Sequence, residues 1–120
     1  MIVLPRLLGL VLGLTLLPQG VRAAEGLADL FYQFHVLEYC ALVNGAALKG
    51  FQAEVDAMIE RDRAQRPAIA SAAADGRARA DAAWKAQGAE NYLAWCAGEG
   101  RKAAARFTPP PPAPAPRRSP

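Results

Sequence analysis

Four kinds of residue in this chain could do chemistry: its single histidine, its two cysteines, its two serines and its closely spaced carboxylates. His35 and Glu38 stand three apart, which on a helix makes them neighbours that could share a proton or offer two ligands to a metal. A metal needs one or two more donors. Without a second histidine, these would have to come from distant carboxylates such as Asp29 or Glu99. The plainer reading is a half-buried histidine hydrogen-bonded to a carboxylate or to backbone, and that is the expectation here, with a pH-sensing role as the other use. No metal and no cofactor is assigned.

The signatures of catalysis are missing. There is no Gly-x-Ser-x-Gly elbow, no His-Glu-x-x-His and no phosphate-binding glycine loop, and the serines are Ser71, in an alanine-rich stretch, and Ser119, near the end. Glu54 with Asp56 and Glu60 with Asp62 interleave with arginines at helical spacing, which reads as a solvated face with weak ion pairs. The expectation is a protein that is not an enzyme.

Cys40 and Cys96 are too far apart for a Cys-x-x-Cys redox pair or a haem attachment site, and both lie among apolar residues. One disulfide is the simpler reading. It would close a loop of 57 residues, for which chain entropy gives about 4 kcal/mol of stabilisation.

Such a bond suits an exported protein, and the N-terminus reads as a secretory leader. After Arg6 comes the apolar run LLGLVLGLTLL, then Pro18 and Gly20, then Val21-Arg22-Ala23 with small residues where a signal peptidase reads. The run is far shorter than the roughly 20 residues of a membrane span. The expected organisation is a signal peptide over 1–23, a helical domain over 24–107 and a Pro-rich disordered tail over 108–120, in a periplasmic or secreted protein with no stable membrane insertion after cleavage. The competing reading is an uncleaved anchor. Cleavage removes Arg6 and Arg22, leaving 12 basic and 11 acidic side chains in 97 residues, a net of +1. With Arg117 and Arg118 in the tail, no basic face is left for nucleic acid.

These residues must be positioned by helices. Leu27, Leu30, Phe31, Phe34, Leu37 and Ala41 recur at spacings of three and four, predicting a first helix with one apolar face. Asn44-Gly45 predicts its stop. A second helix from about Ala46 should bury Leu48, Phe51, Val55, Met58 and Ile59. Pro67 should open a third, alanine-rich helix to about Ala86, carrying Ile69, Ala73, Ala80 and Trp84 inward and Asp75, Arg77, Arg79 and Asp81 outward. Gly88 should turn the chain into a last helix with Tyr92, Leu93, Trp95 and Cys96 pressed on the first, weakened or broken near Gly98-Glu99-Gly100 and resuming over Arg101 to Phe107. No segment alternates as a strand would. The fold class is all-α: a small bundle of three to four antiparallel helices with one disulfide, after a cleaved signal peptide.

The order of a leader, His35-Val36-Leu37-x-x-Cys40, a charged middle helix, then Trp95-Cys96 and Glu99-Gly100 resembles small exported all-helical two-cysteine proteins of unassigned function from alphaproteobacteria. The resemblance covers about Leu27 to Gly100. It implies no activity, only that His35, Cys40 and Cys96 are family features with structural roles.

Two functions from different classes fit these residues. The first is a periplasmic interaction or accessory protein that meets a protein partner in the cell envelope through an apolar patch, on the third helix or around Val36, Leu42 and Val43. The alternative is a small-molecule or metal binder, its pocket lined by Tyr39, Trp84, Tyr92 and Trp95 and oriented by His35 and Glu38.

Overall fold

Residues 19–108 and Pro116 are described by a computed structural model, with side chains from Glu25 onward. Elements α1 (Gln19–Tyr39), α2 (Gly45–Asp62) and α3 (Arg66–Ala83) follow in order. The chain then makes a π-helical turn (Trp84–Gly88), a short α4 (Tyr92–Trp95), a second π turn (Cys96–Gly100) and α5 (Arg101–Phe107). The last three are continuous, so 92–107 forms one rod. No strand occurs among the described residues. The expected leader up to Pro18 and the expected tail from 109, Pro116 excepted, lie outside the described residues; the expected cleavage point after Ala23 falls within the first turns of α1.

Side-chain pairings give the topology. Phe34 stacks on Phe51 and Gly26 approaches Met58, so α1 and α2 are antiparallel. Gly76 meets Ala28 and Tyr32, while Asp81 and Trp84 reach Tyr39, so α3 runs in the same sense as α1. Cys96 bonds Cys40 and Arg106 pairs with Asp29, which sends the final rod back. Four helical rods therefore form an up-down-up-down bundle around α1, closed by the one disulfide.

The helix ends differ from expectation at one place. Asn44 does not stop α1; its extended backbone and its side-chain oxygen, 2.7 Å from the Ala47 nitrogen, cap the start of α2. The left-handed residue is Ala41, at φ 54°. There Ala41 N–H donates to Glu38 O at 3.1 Å and Leu42 N–H to Leu37 O at 2.9 Å, the paired bonds of a Schellman ending. Arg63, at φ 50°, ends α2 in the same conformation. Pro67 lies in the first turn of α3, where its missing N–H costs no helical bond.

Because α1 is central, its burial exceeds one stripe. Leu27, Leu30 and Leu37 are fully buried, but so is Val36, expected off the stripe and only 1% exposed. Ala41 lies outside, beyond the helix end. On α2 the inward residues are Ala47 and Phe51, and Leu48, expected inside, is exposed. The reason is the approach of α5: the Phe107 carbonyl lies against Gly50, which turns the Ala47–Gly50–Phe51 side to the core and Leu48 away. Arg106 adds a polar tie among three elements, with Nε 3.0 Å from Glu54 Oε2 and Nη1 3.0 Å from Asp29 Oδ2. Among the described residues, no helix is long and apolar enough to cross a membrane.

The alanine-rich α3 packs by closeness. Its inward positions are Ala72, Gly76 and Ala80, a four-residue spacing of small residues rather than the expected line through Ala73. A Cβ on Gly76 would lie 2.5 Å from Ala28 O and 2.7 Å from Tyr32 N, backbone atoms that cannot swing aside. Gly76→Ala gains about 1 kcal/mol of helix propensity. Overpacking at this crossing costs about 1–3 kcal/mol and more, so the variant is expected to show a lower urea midpoint; a raised midpoint would mean that α1 and α3 separate freely.

Candidate functional site

The sequence-predicted residues come together, but in two places rather than one. At the disulfide end, Tyr39 stacks on Trp84 with centroids 4.9 Å apart, and Trp95 and Tyr92 set their rings edgewise to Trp84 at 5.8 and 5.9 Å. These rings fill space on one another, as aromatic core does. Gly88, expected to turn the chain, is buried between the two indoles; a Cβ there would lie 2.5 Å from Trp84 and 2.9 Å from Trp95. The π turn that ends at Gly88 adds a residue to the helical turn and brings Trp84 over Trp95.

The second π turn serves the disulfide. Cys40 and Cys96 are bonded, with Cα atoms 5.6 Å apart. Gly100, expected with Gly98 to weaken or break the helix, keeps helical dihedrals, and a Cβ there would lie 3.1 Å from Cys40 Sγ. Close approach to the bond outweighs the glycine's weak helix propensity of about 1 kcal/mol.

His35 and Glu38 face elsewhere, into the cleft between α1 and α3. His35 Nδ1 and Glu38 Oε1 are 3.1 Å apart, with the histidine side chain 16% and the glutamate 46% exposed. The Tyr39 hydroxyl closes one wall by donating to Asp81 Oδ1. That hydrogen bond, then burial and then the carboxylate's charge raise the phenol above its ordinary pKa, and the Arg77 guanidinium nearby opposes them. Together His35, Glu38, Tyr39, Arg77 and Asp81 line a hollow of ≈ 310 Å³.

A second hollow of ≈ 390 Å³ adjoins it, walled by Phe31, Phe34, Phe51, Ala73 and Ala74. His35 and Arg77 belong to both walls and mark the boundary between a charged half and an apolar half. The cleft can therefore hold an amphipathic molecule. Among the described residues, no group of three or more His, Cys, Asp or Glu side chains gathers to hold a metal ion.

A third feature surrounds the disulfide. Cys40, Leu42, Tyr92, Cys96, Arg101 and Ala104 line a hollow of ≈ 310 Å³ whose wall is mostly apolar. Leu42 is 39% and Tyr92 41% exposed, and their chain neighbours Val43 and Leu93 are exposed by 41% and 82%. Of the four residues expected to press inward, Trp95 is buried and Cys96 is bonded to Cys40, whereas Tyr92 keeps one side on Trp84 and the other at the surface, and Leu93 faces outward.

Sequence reasoning missed Arg77 and Asp81 as cleft residues; Phe31, Phe34 and Phe51, expected on buried stripes, do pack in or against the core and also wall the apolar hollow. Their four-residue spacing on α3 puts Arg77 and Asp81 on one face, but nothing local shows which face meets α1. In comparisons with known proteins, no family model, no curated protein and no solved structure matches this chain.

Proposed function

We propose that this chain is an exported accessory protein of the bacterial cell envelope, non-catalytic, which docks a protein partner on the apolar surface around its disulfide. The single observation that carries this reading is that surface: Leu42, Val43, Tyr92 and Leu93 exposed together beside a small apolar hollow, with Arg101 on its wall. The bundle already has its core in Leu27, Leu30, Val36, Leu37 and Phe107, so the outward faces of these residues, Leu93 above all, are surplus to folding. Export is supported by the leader pattern and by the disulfide, which persists in oxidising compartments. The resemblance to exported alphaproteobacterial two-cysteine proteins points the same way. In this reading the Pro-rich end from 108 is a spacer that keeps the domain apart from whatever the chain's end meets.

A photo-activated cross-linker at Leu93 in the exported protein tests the proposal, with the same group at Ala78 on the exposed side of α3 as the control. The expected result is a discrete cross-linked protein from position 93 and none from 78, lost on Leu42→Asp while the thermal midpoint stays within about 2 °C, as for surface changes. The same species from both positions, or none from either, overturns it.

A further inference from the structure

We infer that the cleft between α1 and α3 is a binding site for a free hydrophobic α-amino acid: a small zwitterion with an apolar side chain. The argument rests on what the cleft leaves unused. Arg77 forms no ion pair or hydrogen bond among the described residues. Its planar guanidinium stands at the boundary of the two hollows, where a carboxylate can be held by two parallel hydrogen bonds.

Glu38 and Asp81 share the charged hollow with it. Each has one oxygen engaged, Glu38 Oε1 by His35 and Asp81 Oδ1 by Tyr39, and among the described residues each leaves the other oxygen without a protein donor. Two carboxylates beside one guanidinium disfavour a simple anion, because they repel it. They favour a molecule that brings its own ammonium next to its carboxylate, so that each charge meets its opposite.

The third requirement is apolar. Phe31, Phe34 and Phe51 wall the adjoining hollow, and the small Ala73 and Ala74 leave it open. A side chain entering there would be covered by rings already fixed by their own packing: Phe34 stacks on Phe51 at 4.3 Å and Phe31 meets Phe51 edgewise at 5.4 Å. The pocket is thus preformed on its apolar side, and binding orders the ligand and the Arg77 side chain. Hollows of ≈ 310 and ≈ 390 Å³ match a ligand of amino-acid size.

Calorimetric titration of the exported protein tests the site with L-phenylalanine, L-leucine, 3-phenylpropionate, which lacks the ammonium, and phenethylamine, which lacks the carboxylate. The two amino acids are expected to saturate the site, and the two truncated molecules to bind at least about tenfold more weakly, since each leaves a charge in the cleft unpaired. Arg77→Gln should weaken L-phenylalanine by about tenfold or more. Ala74→Leu, which fills the apolar half, should abolish binding. Both positions are exposed, so neither variant is expected to move the thermal midpoint. If neither amino acid binds, if 3-phenylpropionate binds as tightly as L-phenylalanine, or if Arg77→Gln changes nothing, the assignment is overturned. Cross-linking at Leu93 reads a different surface, so this site and the partner-docking surface stand or fall separately.

Discussion

Replacing both cysteines, Cys40→Ala with Cys96→Ala, is expected to lower the free energy of unfolding by about 2–5 kcal/mol. The bond joins residues 56 apart, so without it the unfolded chain regains the freedom of the long segment between them. The chain-entropy estimate for a loop of this length is about 4 kcal/mol. Small domains are stable by only about 5–15 kcal/mol, so the loss is a large share of the total. Alanine is the proper replacement because Cys40 is buried, and serine would add the cost of an enclosed hydroxyl. Urea unfolding of the oxidised protein and the double variant measures the difference. A loss under about 1 kcal/mol would mean that the contacts of α1 with the other rods define the fold alone, and that the bond holds only the Gly100 and Leu42 surface in shape.

Phe107→Ala is expected to cost about 3–5 kcal/mol. Phe107 is the last residue of α5 and only 1% exposed. Its ring meets the edge of Phe51 at 5.6 Å, and its carbonyl lies against Gly50, so it joins the end of the final rod to α2. Removing the ring leaves a cavity beside Phe51 that Gly50 cannot fill, because glycine has no side chain to repack. Leu93→Ala provides the contrast: equally apolar but largely exposed, it should change stability by no more than about 0.5 kcal/mol. Equal effects at the two positions would show that the end of α5 is not packed as described.

The helices themselves were legible. Pro67 fixed the start of α3 through its missing donor, and the three-and-four spacing of Leu27, Leu30, Phe34 and Leu37 marked the buried side of α1. The glycines misled for a common reason. Gly88 and Gly100 look like helix breakers by propensity, yet both lie where another group comes close: the two indoles leave no room for a side chain at Gly88, and the disulfide would crowd one at Gly100. Propensity is a property of the chain alone. Close approach depends on two segments, and only folding brings those together.

The candidate sites divide in the same way. His35 next to Glu38 is readable at a spacing of three, and the two expected as a pair are a pair. Which hollow they face is not readable, because that depends on the rotation of α3 about its own axis. Alanines on all sides of α3 leave no hydrophobic stripe to announce that rotation; in the fold the small Ala72, Gly76 and Ala80 face inward, and Gly76 lets Ala28 and Tyr32 come close.

By itself, then, the sequence determined the all-helical class, the order of the helices and the cysteine pairing, since periodicity, proline and a single choice of partner are local or arithmetic facts. The tertiary structure decided that α1 would be enclosed on more than one side, that Leu42, Val43, Tyr92 and Leu93 would stay at the surface, and that Arg77 and Asp81 would meet His35 and Glu38. Those outcomes depend on how four rods rotate to bury the most apolar area with the fewest clashes, and no single helix carries that information.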